Sequence, residues 1–154
     1  MTSPKSIQTA EDAFLYARDV IKGRFPEGEA IIATDPRYAY CYSRDVICGR
    51  FENGESIIII VPKYAYWYAR DIIKGRWLEG ELIIATNHVC AYHYALDVIK
   101  GRFPEGEAII ATNPEYAYYY ACDVIKGRWL DGELQILFSE YAIDYAELCG
   151  MTVV

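Results

Sequence analysis

Apolar and polar positions along this chain recur every 26 residues, and Gly23, Gly49, Gly75, Gly101 and Gly127 mark the register. The stretch from Tyr64 to Glu81, YAYWYARDIIKGRWLEGE, shows the unit most clearly. Self-similarity at a fixed period of this length is the mark of a repeat array, in which each unit buries its apolar face only against its neighbours. The pattern predicts an all-α chain, an α-solenoid of helix-turn-helix repeats. These occupy 9–34, 35–60, 61–86, 87–112 and 113–138, in a single repeat domain spanning 1–154 with a lead-in over 1–8 and a capping helix over 139–154.

Each unit reads as a long helix followed by a short one. Asp35-Pro36 and Asn113-Pro114 open the long helix, because a short polar side chain caps free N–H groups and proline sits where no N–H is needed. Thr9 occupies the same place in the first unit. The glycine of each K-G-R or C-G-R sequence is expected to close the long helix in the left-handed conformation, with Lys22, Lys74, Lys100 and Lys126 against the negative end of the dipole. Pro26 and Pro104, followed by acidic residues, open the short helix. A helix-plus-strand solenoid is the alternative, since periodicity over EAIIAT cannot separate the two.

At about 100° per residue, Ala39, Tyr40, Tyr42, Ser43, Val46 and Ile47 share one face of the second long helix, the expected core. Tyr42, Tyr68, Tyr94 and Tyr120 recur at one position and are expected to stack ring beside ring, with their hydroxyls at a polar edge. Ladders of Asp19, Arg24 and Glu29 and their equivalents recur once per unit. They predict charge-assisted hydrogen bonds tying turns and neighbouring units together. Leu78 with Leu82 and Leu130 with Leu134, four residues apart, are expected to meet in an alternative packing of the corner filled elsewhere by Pro and Ala.

Composition narrows the class. At 53% hydrophobic residues with 15 tyrosines the chain is too apolar for disorder, and no apolar run is long enough to span a membrane. The first residues carry no apolar signal core. Five cysteines without C-x-x-C spacing fit free thiols in a reducing, cytoplasmic setting. The net charge of −7 gives direct nucleic-acid binding a low prior, because phosphate backbones are repelled.

Candidate function sits where the repeat varies. The positions equivalent to 37, 41, 44 and 48 form one stripe of the long helix, expected to face solvent. It reads Arg37, Cys41, Arg44, Cys48, then Lys63, Trp67, Arg70, Lys74, then Val89, His93, Leu96, Lys100, then Glu115, Tyr119, Cys122, Lys126. Trp67, Arg70, Val89, His93, Leu96, Tyr119 and Cys122 are the expected partner-binding residues, an apolar and aromatic patch rimmed by cations. In SIIIIVPKY, Ile59, Ile60 and Val61 replace the usual Ala, Thr and Asp or Asn. The cap is lost there, and a self-association contact through these residues or the C-terminal end is possible on apolar grounds.

Signals for chemistry are weak. GRFPEGE has glycine spacing but places Glu29 where a phosphate loop needs lysine. His88, Cys90 and His93 lie close in sequence without a fourth ligand spaced for zinc, and no unique nucleophile, base or carboxylate pair stands out. No catalytic residue, metal or cofactor is expected. A concave pocket holding one unrepeated polar cluster would instead favour a small-ligand receptor.

The units YARDVIKGRFPEGE, YARDIIKGRWLEGE and YACDVIKGRWLDGE resemble tandem repeats of the YARDVIKGRWPE type found in phage and bacterial proteins. The resemblance runs from Phe14 to Glu133, with Glu52-Asn53 and Val61 departing from it, and implies a helical array of viral or mobile-element origin without catalytic residues to carry over. The expected function is a non-enzymatic scaffold that binds a protein or peptide through the variable stripe. The alternative is a phage-type inhibitor of a host defence or nucleic-acid enzyme, acting through an acidic or occluding surface.

Overall fold

The computed structural model describes residues 7–152, and all regular structure among them is helical. The EAIIAT segments and their equivalents are helical in every copy, so the helix-plus-strand alternative drops out. The chain folds as two compact units, Met1–Lys74 and Gly75–Val154. Unit 1 contains α1 (Ala10–Leu15), α2 (Pro26–Ile32), α3 (Pro36–Tyr42), α4 (Glu52–Ile58) and α5 (Pro62–Tyr68). Unit 2 contains α6 (Leu78–Ile84), α7 (His88–His93), α8 (Pro104–Ile110), α9 (Pro114–Tyr120), α10 (Leu130–Leu137) and α11 (Ala142–Leu148). Within each unit a long helix packs on the short helix of its own repeat and on the next long helix, as α3 does on α4 and α5, and α7 on α8 and α9. This stacking of helix pairs is the α-solenoid arrangement.

Local chemistry explains the helix starts. Asp35 accepts from the N–H groups of Arg37 and Tyr38, Asn87 from Cys90, Asn113 from Tyr116 and Thr9 from Asp12. Val61 supplies no cap to α5, as the sequence implies.

The long helices end differently from the expectation. Each passes from α into a π-helical segment: π1 (Tyr16–Ile21), π2 (Ser43–Ile47), π3 (Ala69–Ile73), π4 (Tyr94–Ile99) and π5 (Ala121–Ile125). The left-handed residue is the one before the glycine, with φ of 57° at Lys22, 54° at Cys48, 58° at Lys74, 57° at Lys100 and 59° at Lys126. The glycine that follows donates its N–H to a carbonyl six residues back, Gly23 to Ala17 at 3.2 Å and Gly101 to Ala95 at 3.1 Å. The same carbonyl accepts from the left-handed residue, so one oxygen closes the wide final turn. Adjacent residues do not face each other on an α-helix. In the π segments Arg18–Asp19, Arg44–Asp45 and Arg70–Asp71 do, at 2.6–2.7 Å.

The core also differs in detail. Ala39, Tyr40, Tyr42 and Ser43 are buried, whereas Val46 and Ile47, in the π segment, are half-buried. Tyr42, Tyr94 and Tyr120 meet turn aromatics where the sequence predicts a tyrosine-on-tyrosine stack. Tyr42 meets Phe51 edge-on at 5.1 Å, Tyr94 meets Phe103 at 5.1 Å and Tyr120 meets Trp129 at 4.8 Å, so each ring packs on the turn aromatic of its own repeat. That aromatic fixes the glycine of the short helix: a Cβ on Gly106 would lie 2.5 Å from the Phe103 ring and 2.9 Å from Ala91.

The charge ladders become a clasp repeated through both units. Tyr120 Oη accepts from the N–H of Phe103 at 2.9 Å and donates to Glu107 at 2.8 Å, while Arg102 grips the same carboxylate at two points of 2.7 Å. Tyr42 with Phe25, Glu29 and Arg24, and Tyr94 with Trp77, Glu81 and Arg76, repeat it. Buried Glu81 and Glu107 are thereby paired and hydrogen-bonded, as buried charge requires. A second inter-repeat bond runs from Tyr40 to Asp71 and from Tyr92 to Asp123, each 2.6 Å.

The leucine pairs do not pack into the corner. Leu78 and Leu82 are 66% and 74% exposed, Leu130 and Leu134 67% and 68%, because the turn aromatic already fills the space between the helices and leaves these positions outside.

Candidate binding surfaces

The variable stripe lies on the outer side of the long helices, but it is not open to solvent throughout. Trp67, Val89, His93, Leu96, Tyr119 and Cys122 are all half-buried, and Arg70 is exposed. Within each unit, rings of the preceding repeat cover part of the stripe, as Tyr40 does for Trp67 and Tyr92 for Tyr119. The structure places Trp67 and Arg70 in unit 1 and the other five residues in unit 2.

In unit 1 the surface alternates cations with rings. Lys63 Nζ stands 4.4 Å from the Trp67 ring and 5.7 Å from Tyr64, the Arg44 guanidinium 5.2 Å from Tyr40, Arg70 5.1 Å from Tyr66 and Arg37 5.4 Å from Tyr38. Trp67 lies 5.6 Å from Tyr40 and meets Tyr64 edge-on at 5.7 Å. Between α3–π2 and α5 these residues enclose an open pocket of about 360 Å³, lined by Arg37, Tyr40, Cys41, Arg44, Lys63, Tyr64 and Trp67 and by no carboxylate. Burial raises the Cys41 thiol above its usual value, so the pocket holds a neutral sulfur and not a thiolate. Burial, then the bond to Asp71, pushes the Tyr40 phenol up to about 12.

In unit 2 rings face rings. Tyr92 lies 4.9 Å from His93, 5.6 Å from Tyr116 and 6.2 Å from Tyr119. Tyr119 continues to Tyr118 at 5.9 Å and Tyr141 at 6.1 Å, and Tyr118 stacks on Tyr141 at 5.1 Å with 16° between planes. His93 Nδ1 is 3.8 Å from Asp97, and Tyr119 Oη is 3.2 Å from Glu115. The hydrogen bond with Cys122, then burial, raises Tyr118 to about 12, and burial raises the Cys122 thiol. Leu96 lines a second depression of about 380 Å³ with Lys100, Gly101, Asp123, Val124 and Lys126. The geometry joins His93 and Tyr119 through Tyr92, while Leu96 opens onto a different hollow.

Sequence reasoning missed Tyr64 in unit 1, and Tyr116, Tyr118 and Tyr141 in unit 2. Tyr40 is buried, as its place on the core face implies, and so is its equivalent Tyr92, and both contact the surface rings. Tyr64, Tyr116 and Tyr118 lie in YAYWY and YAYYY, and aromatic runs this dense exceed what one buried helix face holds, so these rings are left half-buried. The cysteines Cys41, Cys48, Cys90, Cys122 and Cys149 are free thiols. Among the described residues no group of His, Cys, Asp or Glu is arranged to hold a metal ion, and no helix is long and apolar enough to cross a membrane. No protein family model, characterised protein or solved structure matches the chain.

Proposed function

We propose that this chain is a non-enzymatic scaffold that holds a protein or peptide partner on the outer side of its long helices, with the tyrosine ridge of unit 2 as the main contact. The observation that carries the reading is the run of ring contacts from His93 through Tyr92, Tyr116 and Tyr119 to Tyr141. Half-buried Tyr116, Tyr119 and Tyr141, backed by buried Tyr92, present large, amphipathic contact area with rotamers held by their neighbours, so little conformational entropy remains to be lost on binding. Val89, Leu96 and Cys122 extend the surface, and Trp67 with Arg70 supplies a cationic counterpart in unit 1.

A second reading has one specific support. Unit 2 carries twelve carboxylates against five Lys and Arg, whereas unit 1 carries ten of each. An acidic face suits a basic partner, as an inhibitor covering the nucleic-acid-binding surface of a host enzyme would need. Exposed Ile60 next to Ile59 and Val61, and exposed Phe138 and Ile143 toward the C-terminal end, add candidate self-association contacts. Five free thiols fit a reducing compartment such as the cytoplasm.

The test is to capture a partner on immobilised protein, purify it, and titrate it against wild type and Tyr119→Ala. Loss of affinity of at least about 2 kcal/mol, the size of an interface hot spot, is the expected result. Equal affinity for the variant refutes the ridge as the contact. A steep fall in affinity with salt selects the acidic-inhibitor reading, and a shallow one the apolar ridge.

A further inference from the structure

We propose that the pocket between α3–π2 and α5 in unit 1 binds a nucleoside phosphate, with the base against Trp67 and Tyr64 and the phosphate held by Arg37, Arg44 and Lys63. The proposal stands apart from the partner-binding ridge, which lies in unit 2.

Three observations carry it. First, the set of residues lining the pocket is not repeated along the chain: the positions of Arg37, Cys41 and Arg44 are held by Val89, His93 and Leu96 in one later copy and by Glu115, Tyr119 and Cys122 in another. A constellation that occurs once in a repeat array is set by something other than the repeat's own packing. Second, its charge runs against that of the chain. The molecule has a net charge of −7, yet three cations and no carboxylate line this pocket. Among the described residues Arg37 and Lys63 have no carboxylate partner, and each rests against a ring instead. Asp45 engages Nε and Nη2 of Arg44, which fixes its plane.

Third, size and shape fit a planar group carrying an anion. Trp67 is half-buried, with Tyr64 set edge-on to it at 78°, leaving an aromatic wall beside the cations. Such a wall stacks any base, while guanidinium and ammonium groups take phosphate oxygens through charge-assisted hydrogen bonds. A pocket of about 360 Å³ lies at the lower end of the range for small-ligand sites, which suits one nucleotide and not a polymer. Neutral Cys41 between the cations offers no repulsion to phosphate and no nucleophile to attack it.

The experiment titrates the full chain with adenosine 5′-monophosphate and follows tryptophan fluorescence and heat of binding. Trp67 is half-buried whereas Trp77 and Trp129 are buried, so quenching reports chiefly on this pocket. The expected result is saturable binding that weakens by about tenfold or more in Arg37→Ala/Lys63→Ala, and equally when adenosine or inorganic phosphate replaces the nucleotide. Arg37 and Lys63 are exposed, so the variant keeps its fold, and an unchanged far-ultraviolet circular dichroism spectrum checks this. Trp67→Phe, which retains a ring, is expected to keep most of the affinity and Trp67→Leu to lose it, both read by calorimetry. Absence of saturation at millimolar nucleotide overturns the proposal. So does inorganic phosphate binding as tightly as the nucleotide, which reduces the pocket to an anion site. Phosphotyrosine binding more tightly than the nucleotide overturns it too, by moving the ligand to a modified peptide.

Discussion

Units 1 and 2 use the same 26-residue frame and differ in what they show to the outside. Clasps of Tyr, Glu, Arg and a backbone N–H occur in both, as do the π segments and the left-handed Lys or Cys. Outside this frame unit 1 is charge-neutral and sets cations over rings, and unit 2 is acidic and sets rings against rings. One repeat must therefore do two jobs. Residues repeated in every copy close turns and seat one repeat on the next, and surface chemistry is left to four variable positions of the long helix and the tyrosines beside them.

The widest break in this comparison comes from removing the shared tyrosine. Tyr42→Ala in unit 1 and Tyr120→Ala in unit 2 each remove a fully buried ring and are expected to cost about 3–5 kcal/mol in denaturant titrations. The phenylalanine variants keep the ring but strand a backbone N–H and a carboxylate oxygen, which costs about 1–3 kcal/mol. The two units should respond alike. A large effect in one and none in the other would show that the clasp is not the common element.

These variants also mark how far the sequence could be read. The period, the helix pairs, the caps at Asp35 and Asn113 and the Arg–Glu ties were legible, because each depends on residue type at a fixed spacing. The sequence points to the glycine for the left-handed position, one residue later than where it falls. Glycine is the residue that favours this conformation, but here the final turn widens to π, and the shift brings Lys22 or Cys48 to the left-handed site. Helical periodicity at about 100° per residue carries no record of such widening. The surface was half legible: the stripe named Trp67, His93 and Tyr119, whereas Tyr40, Tyr64, Tyr92 and Tyr116 join it only because neighbouring repeats stack, which spacing within one helix does not encode.

A smaller test uses the cap. Val61 leaves α5 of unit 1 uncapped where Asn87 and Asn113 cap α7 and α9 of unit 2. Val61→Asn is expected to stabilise the chain by about 0.5–1 kcal/mol, and Asp35→Ala to destabilise it by about 1 kcal/mol, both by thermal denaturation. Destabilisation by Val61→Asn would mean that the valine packs in a way its half-buried position does not suggest.

The smallest expected effect is in pH. In unit 2 the hydrogen bond from Arg76 holds the Glu81 carboxyl below the usual range against the opposing effect of burial, and Arg102 does the same for Glu107. In unit 1 burial alone would raise Glu55, but hydrogen bonds from Arg50 and Tyr68 bring it below. A depressed folded pKa means stability that is complete above the unfolded value of about 4.3 and is lost as pH falls through the folded one. Both units are therefore expected to weaken only below about pH 4.5, with carboxyl titrations followed by NMR. Loss of structure confined to one unit near neutral pH would break the equivalence of the two clasps.

The clasp also sets an order of events during synthesis. Each tyrosine hydroxyl lies 17 residues downstream of the N–H it accepts from, and 16 in the last case, Tyr145 to Trp129. A nascent chain cannot close a turn until that much more of it has left the ribosome. Each repeat is finished by its successor, so the array matures from its first turn to its last with a constant lag. A chain that stops short of Tyr145 ends on an open turn, with the Trp129 N–H and the Arg128–Glu133 pair left without their lock.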